Sequence, residues 1–113
     1  KAINQVITAT KSTYRQALQK ATGKLGKGYD AHHTLPQKYR KEIEKLGINI
    51  DEPGNVVWRK AEVHRTGNTE HAKEWKKFFE KNPQPTKEQV RQQRDIIENK
   101  VWPDAPKGET PVN

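Results

Sequence analysis

The sequence predicts an α+β fold in one domain, with short strands set among amphipathic helices. Three observations carry this. Apolar residues recur at helical spacing in several separate stretches. Two short segments, 29–35 and 56–59, have the make-up of extended chain and can pair with each other. A length of 113 residues fits a single domain.

Ile3, Val6, Ile7, Tyr14, Ala17, Leu18 and Ala21 fall mostly on one face, which predicts a helix over 3–21. Gly23-Lys24-Leu25-Gly26-Lys27-Gly28 breaks it, because its glycines favour a flexible basic loop. Residues 29–35 read as a short strand, since Pro36 biases Leu35 toward an extended backbone. Pro36 suits the first position of a helix that carries Tyr39, Ile43 and Leu46 and ends at Gly47. Residues 51–55 form a turn, and Val56-Val57-Trp58 a second strand. Residues 61–66 begin a helix that Gly67 and Asn68 interrupt, unless they cap the next one. A clear helix over 69–81 then carries Ala72, Trp75, Phe78 and Phe79 as a core stripe. Thr86-Lys87-Glu88-Gln89 is a capping box. It opens a last helix to about Val101, with Val90, Ile97 and Val101 at helical spacing. The tail, 103–113, has three prolines, one glycine and few apolar residues, and reads as disordered.

Lys and Arg total 22 against 14 Asp and Glu, a net charge of +8. Such a surplus on a small body attracts polyanions, and nucleic acid is the commonest of them. There is no cysteine, which excludes disulfides and cysteine-based zinc sites. No stretch approaches the roughly 18 apolar residues of a membrane span, and the polar start lacks the apolar core of a signal peptide. The chain has no methionine, not even a first one, so it reads as a piece of a longer protein.

Four histidines, His32, His33, His64 and His71, lie within 40 positions of one another. Histidine is the commonest metal ligand and the usual general base near neutral pH. A closed structural zinc site takes four protein ligands, often cysteines. With no cysteine and one histidine to spare, an open catalytic site is favoured.

Tyr29-Asp30-Ala31-His32-His33-Thr34-Leu35-Pro36, Gly54-Asn55-Val56-Val57-Trp58 and His64-Arg65-Thr66-Gly67-Asn68-Thr69-Glu70-His71 follow one another in this order. The series resembles the HNH/endonuclease VII superfamily, and most closely its toxin nucleases with an Ala-His-His motif, which sit at the C-termini of large bacterial secreted proteins. The resemblance covers about residues 29–80. It implies a ββα-metal (His-Me finger) core with flanking helices, and so three regions. Residues 1–28 are an N-terminal helix and Gly-rich basic loop, 29–102 the nuclease domain and 103–113 the tail.

By that resemblance His33 is the general base and Asn55 orients it through its side-chain carbonyl. His32 and His64 are metal ligands. His71 is the favoured third ligand, with Asn68, four residues after His64, the alternative. Adjacent strand residues point to opposite faces, so the His32-His33 pair calls for an irregular or strand-end backbone. Arg59, Lys60 and Arg65 are candidates to grip flanking phosphates. Imidazole ligands suit one divalent ion of zinc, nickel or manganese, and magnesium is compatible. The implied function is a metal-dependent endonuclease, DNA favoured over RNA. A ribonuclease and a non-catalytic basic nucleic-acid-binding module are the alternatives. The implied setting is an antibacterial toxin domain delivered from its producer and acting in the target-cell cytoplasm. It would be met by a cognate, acidic immunity protein, whose charge would speed association.

Overall fold

In the computed structural model, which describes residues 11–113, four helices surround one two-stranded antiparallel sheet. The order is α1 (Lys11–Thr22), β1 (Tyr29–His33), α2 (Arg40–Glu44), β2 (Val56–Lys60), α3 (Ala61–Lys81) and α4 (Lys87–Val101). The fold is α+β, as predicted. Ile3, Val6 and Ile7 of the expected first helix lie outside the described residues. No described helix is long and apolar enough to cross a membrane.

The two strands pair in a register that sets Ala31 opposite Trp58, His32 opposite Val57 and His33 opposite Val56. Alternation along each strand gives the sheet two unlike faces. Ala31, Val56 and Trp58 form a small core with Leu18 of α1, and Tyr14 and Tyr29 pack against it. Asp30, His32 and Arg59 meet α3 and the C-terminal end of α4 on the other side. β1 is regular through His33, so the two histidine rings do leave on opposite faces. No irregular backbone is needed, because both rings still line one cleft near the end of the strand.

A larger core joins Leu35, Ile43, Ile48, Ile50, Trp75, Phe78, Phe79, Val90 and Ile97. Burying each such side chain contributes roughly 1.5–3 kcal/mol. The aromatic stripe of α3 is thus core, as its spacing predicts. The helix expected after Pro36 is shorter than its apolar spacing suggests: Gln37–Tyr39 form a 3-10 turn before α2. Gly47 ends this region with φ of +84°, a conformation that favours glycine.

The expected interruption at Gly67 does not occur, and α3 runs unbroken for 21 residues. Glycine is there for a neighbour. A Cβ on Gly67 would come within 2.7–2.8 Å of Val101 and the Trp102 ring. The predicted capping box is present at α4: Thr86 Oγ1 accepts from the Gln89 backbone, and the Gln89 side chain accepts from the Thr86 backbone.

The expectation that 103–113 is disordered does not hold. The tail folds back along β2, with the Glu109 N–H donating to the Trp58 carbonyl at 2.7 Å. The Glu109 carboxylate accepts from the Lys60 N–H, and Asn113 Oδ1 from the Gly26 N–H. Backbone and polar hydrogen bonds hold this segment, which an apolar count does not register.

Candidate functional site

A cleft of about 440 Å³ opens where the end of β1 meets α1 and α3. Its walls include Tyr14, Asp30, His32, His33, His64 and His71. α1, which lies outside the resemblance, therefore builds part of it: Tyr14 stands edge-on to the His33 ring, centroids 4.3 Å apart.

His32 is the hub. Its Nε2 lies 3.0–3.1 Å from both oxygens of Glu98 on α4, and its Nδ1 lies 3.1 Å from His64 Nε2. His64 Nδ1 in turn lies 2.8 Å from Asp30 Oδ2. Burial opposes ionisation of Glu98. Hydrogen bonds from its neighbours, His32 first and Arg59 among them, outweigh it and hold the carboxyl down at about 2. Burial of Asp30 is likewise outweighed by its contacts with His64 and Arg65, and its pKa is lowered. Both acids are therefore carboxylates at neutral pH and only accept hydrogen bonds. His32 must carry its proton on Nε2 and His64 on Nδ1. With both rings neutral, the nitrogens that face each other across 3.1 Å are then two lone pairs.

His32, His71 and Glu98 are all buried, and their donor atoms lie within 4.8 Å of one another, so they can hold a metal ion. His71 Nε2 is 3.2 Å from Glu98 Oε2, a close polar contact that falls short of hydrogen-bond geometry. Burial pulls His32 down to about 4, which keeps the ring neutral and able to ligate.

His33 faces a different carboxylate. Its Nε2 lies 2.7 Å from Asp51 Oδ1. Arg40 holds Asp51 from the other side, Nη1 donating to Oδ2 at 2.7 Å and Nη2 to Oδ1 at 3.1 Å. Burial lowers the His33 pKa despite the opposing effect of Asp51.

Several of the roles expected above change in three dimensions. Asn55 does not orient His33: its side-chain carbonyl accepts from Arg94, and its amide donates to the Asn49 carbonyl and to Glu52. Its backbone carbonyl accepts from Thr34, which anchors the end of β1. Arg59 cannot grip phosphate. It is fully buried, stacked on Trp102 and bound to Glu98 and to the carbonyls of Ala105 and Pro106, because its strand position turns it inward. Lys60 is exposed but lies outside the cleft, beside Glu109. Arg65 is at the cleft, largely exposed and paired with Asp30. Asn68 lines the cleft and is exposed, whereas His71 is buried beside Glu98.

Glu98, Asp51 and Arg40 join the site without having been expected there. Glu98 left a trace: it sits three residues before Val101, on the inward face of α4. Asp51 left none, since an acid in a turn ordinarily faces water. No protein-family model, no curated protein and no solved structure matches the chain.

Proposed function

We propose that the protein is a metal-dependent endonuclease, with DNA its favoured substrate, on a ββα-metal core made of β1, β2 and the start of α3. One observation carries the reading. His32 Nδ1 and His64 Nε2 face each other at 3.1 Å, each ring fixed from behind by a carboxylate, so that in the neutral rings two lone pairs meet. Such an arrangement calls for a cation. Two nitrogens sharing one zinc stand roughly 3.3 Å apart, from bonds of about 2.0–2.1 Å in a tetrahedron. Carboxylates behind imidazoles are the usual support of metal ligands.

His32 and His64 would hold the ion, at the side of His32 that faces the cleft. A divalent ion there supplies charge stabilisation at the phosphate oxygens. Zinc, nickel and manganese suit the imidazoles best, and magnesium fits with fewer protein ligands. His33, across the cleft, has Nε2 committed to Asp51 and takes a proton on Nδ1 from the attacking water. The water oxygen bonds to phosphorus, the bond to the leaving oxygen breaks, and that oxygen takes its proton from solvent. Arg65 and Lys38, exposed at the cleft, suit flanking phosphates.

The Nε2 of His71, buried beside Glu98 without a hydrogen bond, supports a second reading, in which the ion sits in the interior between His32 Nε2, His71 and Glu98. Against it stands Arg59, whose buried guanidinium already neutralises Glu98 at 2.7 Å.

The toxin setting, delivery into a target-cell cytoplasm and an acidic immunity protein belong to this proposal. They rest on the motif resemblance and the charge of +8. Incubation of the purified protein with plasmid DNA and with RNA, under each of the four metals and under chelator, tests the activity. Metal-dependent nicking of the plasmid is expected. Preferential loss of RNA would make it a ribonuclease, and binding without cleavage a nucleic-acid-binding module.

A further inference from the structure

Asp51 sits in the turn before β2, eighteen residues from His33, and nothing in the motif resemblance gives it a task. Its two oxygens are divided between partners. Oδ1 meets His33 Nε2 at 2.7 Å, and Oδ2 meets Arg40 Nη1 at the same distance. Arg40 Nη2 makes a third contact, to Oδ1 at 3.1 Å. The His33 side chain is 5% exposed and that of Asp51 16%, so water competes weakly for either. An ionised carboxylate cannot donate, so the ring nitrogen facing it must carry the hydrogen.

We propose that Asp51, itself held by Arg40, is the positioning residue that fixes the ring orientation and tautomer of His33, presenting Nδ1 as the proton acceptor. The proposal rests on the reading of His33 as the base, and assigns to Asp51 the task that the resemblance gives to Asn55. Asn55 is occupied elsewhere, on Arg94, Asn49 and Glu52. The arrangement is a carboxylate behind an imidazole, the logic by which a base histidine is held in one tautomer.

Arg40 makes the proposal sharp. In Asp51→Asn the new side chain has one carbonyl and one amide. The guanidinium at 2.7 Å claims the carbonyl, which turns the amide toward His33 Nε2. That nitrogen must then accept, and the ring hydrogen moves to Nδ1. The base is disabled while the cleft keeps its shape.

Two measurements on the full chain test this: the ring nitrogen-15 shifts of His33, and kcat and KM for plasmid cleavage. Wild type should show Nε2–H. Asp51→Asn should show Nδ1–H, with kcat lower by roughly 10²–10⁴-fold, the usual contribution of a general base, and KM within about twofold. Asp51→Glu, which keeps the charge, should retain Nε2–H and recover at least about tenfold of the lost kcat. A merely structural role would lower stability without inverting the tautomer. Asp51→Asn retaining Nε2–H would overturn the proposal, as would an inverted ring with unchanged kcat. An inactive wild type would overturn the nuclease reading and the catalytic half of the proposal together. The ring shifts, which need no activity, would then report separately whether Asp51 sets the tautomer.

Discussion

Asp30 and Glu98 hold His64 and His32 by the nitrogens that point away from each other. On the proposed reading that shared grip leaves the facing nitrogens to hold the cation, and it ranks the variants. His64→Ala should abolish tight zinc binding in a calorimetric titration. Glu98→Gln should weaken it by about 10–100-fold, the usual cost of losing the group behind a ligand. His71→Ala should leave it nearly unchanged; loss there with retention in His64→Ala would move the ion to the interior. Asp51 makes a separate prediction. Its burial is outweighed by its bonds to Arg40 and His33, so its pKa falls below 3.8. The unfolded chain therefore takes up this proton first on acidification. The stability that Asp51 contributes is complete above pH 3.8 and is lost as the pH falls through the folded value. Urea melts of wild type and Asp51→Asn should show a gap that narrows below pH 3.8, and a constant gap would refute the assignment. The four histidines were legible because their residue type announces chemistry. Their carboxylate partners were not: Glu98 lies 66 positions from His32, and Asp51 reads as a turn residue.

Local signals read the elements well where local forces set them. The capping box fixes the start of α4, and the composition of 56–58 marks β2. They fail where a neighbour decides. Gly67 reads as a break because glycine disfavours helix by about 1 kcal/mol, yet α3 continues through it. It is the space required by Val101 and Trp102. This reverses the ordinary effect of the substitution. Gly67→Ala should destabilise the protein by about 1–2 kcal/mol, since overpacking costs about 1–3 and exceeds the propensity gain. A thermal melt reads this as a lower Tm; a raised Tm would mean that Trp102 yields freely. Continuity of α3 also matters to the site, because one rigid helix carries both His64 and His71.

Across the whole molecule, the tail and the sheet are one structure. Arg59 is buried, and two of its partners, the carbonyls of Ala105 and Pro106, belong to the tail. Truncation after Trp102 should destabilise the chain by about 3 kcal/mol, because hydrogen bonds to a charged group contribute about 1.5–3 each and the guanidinium would stay buried. Unchanged denaturant melts of the truncated chain would contradict this. The tail was illegible because its order comes from backbone pairing with β2, while its composition is that of loose chain. The general architecture was legible, because two strands and several amphipathic helices each carry their own period. That this scaffold brings a base histidine to a metal-bound phosphate is tested most directly by plasmid cleavage. Wild type and His33→Ala should be compared at saturating metal, with chelator as the control. Wild type should nick the plasmid, chelator should abolish the nicking, and His33→Ala should slow it by roughly 10²–10⁴-fold. Equal cleavage by the two proteins, or cleavage indifferent to chelator, would contradict the assignment.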